Sequence, residues 1–201
     1  METTLKGTGK KVVVGADRPT VILGERINPT GKKKLAAALG SGDLEVVRRE
    51  ALAQVEAGAD ILDVNVGAAG VDEVDLLPKA VKLVLETADV PVAIDTADGK
   101  ALAAALAAHK EANPDGKALV NSVNGEEASL ERVLPLVAEY GTAVIGLCMD
   151  DDGIPGTPEK RLAVAKKIVE RAGALGIGPE DILIDCLALT VGADSKAAWI
   201  T

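Results

Sequence analysis

Runs rich in valine, isoleucine and leucine recur along the chain, and between them the apolar positions fall three and four residues apart. The first rhythm predicts buried strands, the second amphipathic helices. Strands are expected at Thr20–Leu23, Ile61–Val66, Val90–Thr96, Ala118–Val123, Ala143–Met149 and Ile182–Leu187. Their spacing, roughly 25–40 residues, leaves room for one crossover helix each time, which predicts parallel βα units rather than hairpins. The intervening segments carry helix punctuation. Asp43 precedes LEVVRREALAQVEAG, whose Leu44, Val47, Ala51 and Val55 share one face and whose Gly58 can close the last turn. Asp98 is placed to cap the alanine-rich GKALAAALAAHKE. Thr157-Pro158 opens a helix with a cap and a proline at the first position, and its apolar face is Leu162, Ala165, Ile168, Val169 and Ala172.

The strand-like runs end alike. Each finishes on a carboxylate or carboxamide: GERIN (24–28), DVN (63–65), IDT (94–96), VNS (120–122) and IDC (184–186). A buried parallel strand has no reason to end on Asp or Asn unless its carboxyl end opens onto a polar ligand. In a doubly wound sheet such groups gather at one switch point, whereas here nearly every strand supplies one, so a barrel is predicted. The fold class is therefore α/β, a (β/α)8 barrel with about six βα units present. A full barrel of this kind needs ~250 residues, and a single domain over residues 1–201 with its C-terminal βα units missing is expected. Ahead of it, KKVVVGADRPTVILGE reads as a short strand, a turn at Ala16–Pro19 and the first barrel strand, a hairpin placed to plug one end.

Composition narrows the partners. Aromatics are 1% and phenylalanine is absent, so the core must be built from Ala, Val, Leu and Ile. With 22 Lys and Arg against 31 Asp and Glu, a net charge of −9 opposes binding to nucleic acid or an anionic membrane. METTLKGTGKK has no apolar leader core, and no run approaches the ~18 apolar residues of a membrane span, so a cytoplasmic protein is expected. Cys148 and Cys186 lie a whole βα unit apart with no CxxC nearby, which reads as two buried, reduced thiols.

The runs VILGERINPTGKKKLAAAL, GADILDVNVG, VPVAIDTAD, ALVNSVNGE, AVIGLCMDDDGIP and DILIDCLALTVG, in that order, resemble the pterin-binding barrels that transfer the methyl group of methyltetrahydrofolate to a corrinoid. The resemblance covers about residues 20–195. It implies that Asp95 and Asp185 bind the pyrimidine end of a pterin with Asn121 beside them. It also implies an Asn touching N5 on a seventh strand, beyond Thr201, so no catalytic residue is assigned within the chain. The chemistry agrees. A reduced pterin presents N3–H and its 2-amino group as adjacent donors suited to carboxylates, and Asn121 offers both a donor and an acceptor to the O4/N5 side.

Other candidates are weaker. Glu25, Arg26 and Asn28 can line the pocket, although a Glu–Arg pair at a strand end fits a role in holding the barrel together equally well. Asp63 and Asn65 are read first as residues that order neighbouring loops, and second as groups reaching ligand through water. NVGAAG (65–70) lacks both the P-loop ending and the GxGxxG spacing. His109, the single histidine, is expected on a solvated helix face, and the acidic run 150–152 as a turn into a helix cap rather than a metal site.

The implied activity is transfer of the N5 methyl group of methyltetrahydrofolate to the cob(I)amide of a corrinoid protein, which supplies that cofactor. Cobalt would be the nucleophile, so no Ser or Cys nucleophile is required. No resident metal is expected, and the full-length form is expected to be a homodimer. Two alternatives stay open: a condensation of the dihydropteroate synthase type, and a non-catalytic pterin-binding fragment.

Overall fold

The computed structural model describes residues 1–188 together with Trp199 and Ile200. The chain divides into two compact units, Met1–Asn121 and Ser122–Thr201. In the first, β1 (Glu2–Lys6) and β2 (Lys11–Gly15) form an antiparallel hairpin. Then follow β3 (Leu23–Ile27), α1 (Lys33–Gly40), α2 (Glu45–Glu56), β4 (Ile61–Val64), α3 (Glu73–Thr87), β5 (Val92–Asp95), α4 (Gly99–Ala112) and the first residues of β6 (Leu119–Asn124). Strands β3 to β6 are parallel neighbours in chain order. β4 is buried along its whole length, which explains why ILDV shows no alternation: parallel strands covered on both faces read as continuous apolar runs.

The hairpin is real, but its first strand was missed. The turn falls at residues 7–10 instead of 16–19, because Glu2–Lys6 forms a strand that pairs Leu5 with Val12. Only alternate residues of ETTLK are buried, so the strand is too polar to stand out as an apolar run. The hairpin lies against the loops leading into β5 and β6. Lys6 and Lys117 exchange backbone hydrogen bonds of 3.0 Å, and the Asp89 carbonyl accepts from Gly9 N–H (3.1 Å) and Lys10 N–H (2.8 Å). It therefore covers the amino-terminal ends of these strands. Gly7 is required there: a Cβ would sit 2.3 Å from the Asp89 carbonyl oxygen.

In the second unit, the end of β6 leads to α5 (Glu127–Tyr140), β7 (Ala143–Leu147), α6 (Pro158–Ala174) and β8 (Ile182–Asp185). β7 and β8 are parallel, with Leu147 opposite Asp185. Thr157 caps α6, its hydroxyl accepting from Lys160 N–H, and Asp98 caps α4 in the same way. The face of α6 is rotated from the expected one. Arg161, Val164, Ile168 and Ala172 are buried, while Leu162 and Val169 are exposed. A guanidinium took the place of a leucine because its donors are used internally, on the Pro155, Cys186 and Leu187 carbonyls. On α2, likewise, Val47, Ala51 and Gln54 are the buried positions.

Candidate functional site

The carboxyl ends of the first unit's strands carry polar side chains in two layers. The register sets Asp95 opposite Asn121 and Asp63 opposite Ala93. Residues two apart on a strand share a face, so Asp63 points to the same side as Asp95 and Asn121, one layer below them. Asn65 follows β4 and returns to the upper layer. Two hydrogen bonds join the layers and the strands. Asn65 Nδ2 donates to Asp95 Oδ2 (2.9 Å), and Asn121 Nδ2 donates to Asp63 Oδ1 (3.0 Å). Asn65 Oδ1 accepts from Gly67 N–H (2.8 Å), so its amide is used at both ends and orders the loop after β4.

Burial sets the electrostatics. Asp63 is fully buried, and removal from water, with the Asp95 and Glu25 charges adding to it, pushes its carboxyl up to about 7 against the pull of the Asn121 bond. Burial raises Asp95 as well; Glu25 and Glu73 add to that and the Asn65 bond opposes it. Asp63 Oδ2 is buried with no hydrogen-bond partner. Glu25 lies in the irregular stretch of β3, where the register shifts between Gly24 and Ile27 and Gln54 Oε1 accepts from Arg26 N–H (2.7 Å). The expected Glu25–Arg26 pairing does not occur: Arg26 faces Glu50 at 3.6 Å, and Glu25 accepts from Asn28 Nδ2 at 3.2 Å. Asn28 also caps its own turn, accepting from Thr30 N–H (3.0 Å).

Sequence reasoning missed Thr96 and Glu73, which are hydrogen-bonded at 2.7 Å. Thr96 sits inside the IDT run that drew notice for its Asp, and Glu73 opens α3 as an ordinary first-turn acid. His109 is a correction. It is 3% exposed, and burial, aided by Lys110, lowers its imidazole to about 4. Its spacing of three and seven from Leu106 and Leu102, both buried, was the available signal.

In the second unit, Asp185 ends β8 and accepts from Leu187 N–H through Oδ1 (2.7 Å). Cys148 is buried and Cys186 half-buried. Although distant in sequence, their thiols meet because β7 and β8 are in register. Burial, then the Cys186 thiol and Asp185, push Cys148 up to about 11, so it is an inert thiol. The acidic run forms a tight turn, with Asp150 and Gly153 bonded to each other through their backbones. Among the described residues no group of three or more His, Cys, Asp or Glu is arranged to hold a metal ion, and no helix is long and apolar enough to cross a membrane.

Parallel strands with a polar, acceptor-rich carboxyl end define a ligand-binding α/β protein of the barrel type. The chain belongs to the pterin binding enzyme family, which it matches over residues 24–199. It is similar to the methylcorrinoid:tetrahydrofolate methyltransferase of Eubacterium limosum, 32% identical over 182 residues that cover 88% of this chain and 64% of the relative. It is also similar to the methionine synthase of Mycobacterium tuberculosis, 29% identical over 90% of this chain and 15% of that protein. The chain thus spans less than two thirds of these relatives. Among solved structures, a Yersinia pestis DHPS with a pterine–sulfa conjugate superposes with a TM-score of 0.65 at 20% identity, covering 92% of this chain and 64% of that one. The 7,8-dihydropteroate synthase of Vibrio fischeri gives 0.63 at 17% identity, covering 91% and 66%. These likenesses show the fold, part of a pterin-binding barrel in which, among the described residues, parallel strands alternate with helices.

Proposed function

We propose that the chain binds a reduced pterin at the carboxyl ends of its strands and presents methyltetrahydrofolate for methyl exchange with a corrinoid protein. The observation that carries this reading is the linked set Asn65–Asp95 and Asp63–Asn121, which leaves acceptors at the upper layer for a donor-rich heterocycle edge. Asp95 is assigned to the N3–H and 2-amino donors, and Asn121 to the O4/N5 side. Glu25 and Asn28 line the rim, while Asp63 and Asn65 support from below and beside. The family match runs through both units, which supports reading residues 1–201 as one pterin-binding domain.

The name of one relative, a methylcorrinoid:tetrahydrofolate methyltransferase, supports methyl chemistry between folate and corrinoid over pteroate formation. That name gives the transfer from methylcorrinoid to tetrahydrofolate. A pocket that binds both folate forms serves either direction. The corrinoid, held by its own protein, supplies a nucleophilic cobalt. This chain's part is to bind the folate, fix its ring and hold N5 in a polar setting where it can gain a proton as the C–N bond breaks.

The test mixes the protein with methyltetrahydrofolate and a reduced corrinoid protein and follows the cob(I) absorbance. Its loss, dependent on Asp95, supports the proposal. Turnover that instead consumes aminobenzoate and a pterin diphosphate would assign the synthase reaction.

A further inference from the structure

Asp63 is fully buried on β4, one layer beneath the residues assigned to the ligand. Its Oδ1 accepts from Asn121 Nδ2, and its Oδ2 is enclosed without a partner. The side chain beside it is the carboxyl of Asp95, with Glu25 on β3 adding charge to both and Glu73 on α3 facing Asp95. Two ionised carboxylates cannot bond one another, and no cation is among the largest influences on either of them. A single proton resolves both problems: carried on Asp63 Oδ2, it gives the orphaned oxygen a bond to make and removes the repulsion.

We propose that Asp63 is a positioning residue that holds one proton and donates it to the Asp95 carboxylate, while its other oxygen accepts from the Asn121 amide and fixes that side chain. The proton is kept in the layer below so that Asp95 in the layer above stays ionised and acceptor-only. An ionised Asp95 selects ligands that bring adjacent N–H donors to it and rejects those that present a carbonyl or carboxylate to that carboxylate, because such a pair leaves two acceptors facing one another. The elevation of the Asp63 carboxyl to about 7 agrees with that assignment. The consequence for ligand choice rests on the pterin reading; the proton itself does not.

The experiment has two arms. In the first, carbon-13 NMR of protein labelled at the aspartate carboxyl carbon is recorded in the absence of ligand as pH rises from about 5 to about 9. One buried aspartic acid signal should titrate near neutrality and be missing from Asp63→Asn. A spectrum in which every aspartate is ionised by about pH 6 overturns the proposal. In the second, methyltetrahydrofolate is titrated by calorimetry at about pH 6 and about pH 9 into wild type, Asp63→Asn and Asp63→Leu. The asparagine variant supplies permanently both the donor toward Asp95 and the acceptor for Asn121, whereas the leucine variant supplies neither. Wild-type affinity should fall by about tenfold across this range, Asp63→Asn should show no such dependence, and Asp63→Leu should bind at least about tenfold more weakly than Asp63→Asn at both values. Equal weakness of the two variants overturns the positioning role. Should the titrating acid be present and no folate bind to any form, the proton stands and the pterin reading falls.

Discussion

The two ends of the first unit's strands are closed by different chemistry. At the amino-terminal end the hairpin is fastened by main chain to main chain, through Lys6 to Lys117 and through Gly9 and Lys10 to Asp89, over a buried Leu5. At the carboxyl end the ties are side chain to side chain, Asn65 to Asp95 and Asn121 to Asp63, and they involve carboxyl groups whose burial is costly. Backbone closure asks little of residue identity and stabilises; side-chain closure asks for particular residues and keeps polar groups aimed at one place. On the proposed function, one end serves stability and the other recognition.

The strongest way to break that division is at the hairpin. Gly7→Val places a side chain into the Asp89–Val90 backbone, so the hairpin must move away. The expected cost is about 3 kcal/mol in urea unfolding, with folate affinity of the remaining folded protein retained. Folate binding lost in step with folding stability would show that the two ends are not separable.

A somewhat smaller effect is expected from pH at the opposite end. Asp63 has its carboxyl raised on folding, so the folded state binds the proton more tightly than the unfolded chain. Its stabilising contribution is complete below the unfolded value near 4 and is lost as pH rises through about 7. Unfolding free energies measured across this interval should therefore fall more for wild type than for Asp63→Asn, by an amount on the order of 2 kcal/mol. A difference of opposite sign would contradict the burial argument.

A carboxylate at the same end with only a structural task gives the smallest effect. Asp98 caps α4 through Lys100 N–H (2.7 Å) and Ala101 N–H (3.1 Å). Asp98→Ala should cost about 1 kcal/mol in stability and leave folate affinity unmoved. A drop in affinity would extend the recognition surface to the α4 terminus.

Much of this was legible in the chain itself. The parallel strands declared themselves as apolar runs, and their polar endings pointed to Asp95, Asn121, Asp63 and Asn65, which the register does bring to one face. The relative ranks of those residues were not legible. Asp63 and Asn65 look alike in DVN, yet one is buried a layer below Asp95 with an unpaired oxygen and the other is spent on Asp95 and its own loop. That difference comes from strand register, which no local pattern encodes. The polar strand Glu2–Lys6 escaped because one of its faces is wet, and His109 and Arg161 escaped because a buried polar residue follows helical spacing without changing the hydropathy that reveals it. Glu25 and Arg26 illustrate a third limit. Neighbours of opposite charge invite pairing, but on a strand they point to opposite faces, and each found another partner.

The most direct test of the central claim is calorimetric titration of methyltetrahydrofolate into wild type and Asp95→Asn at neutral pH. Replacing one carboxylate oxygen by an amide nitrogen sets a donor against the donors of the pterin edge, which the account predicts will weaken binding by about 1–3 kcal/mol, roughly tenfold to a hundredfold, with the fold intact. Equal affinity in the two proteins would contradict it.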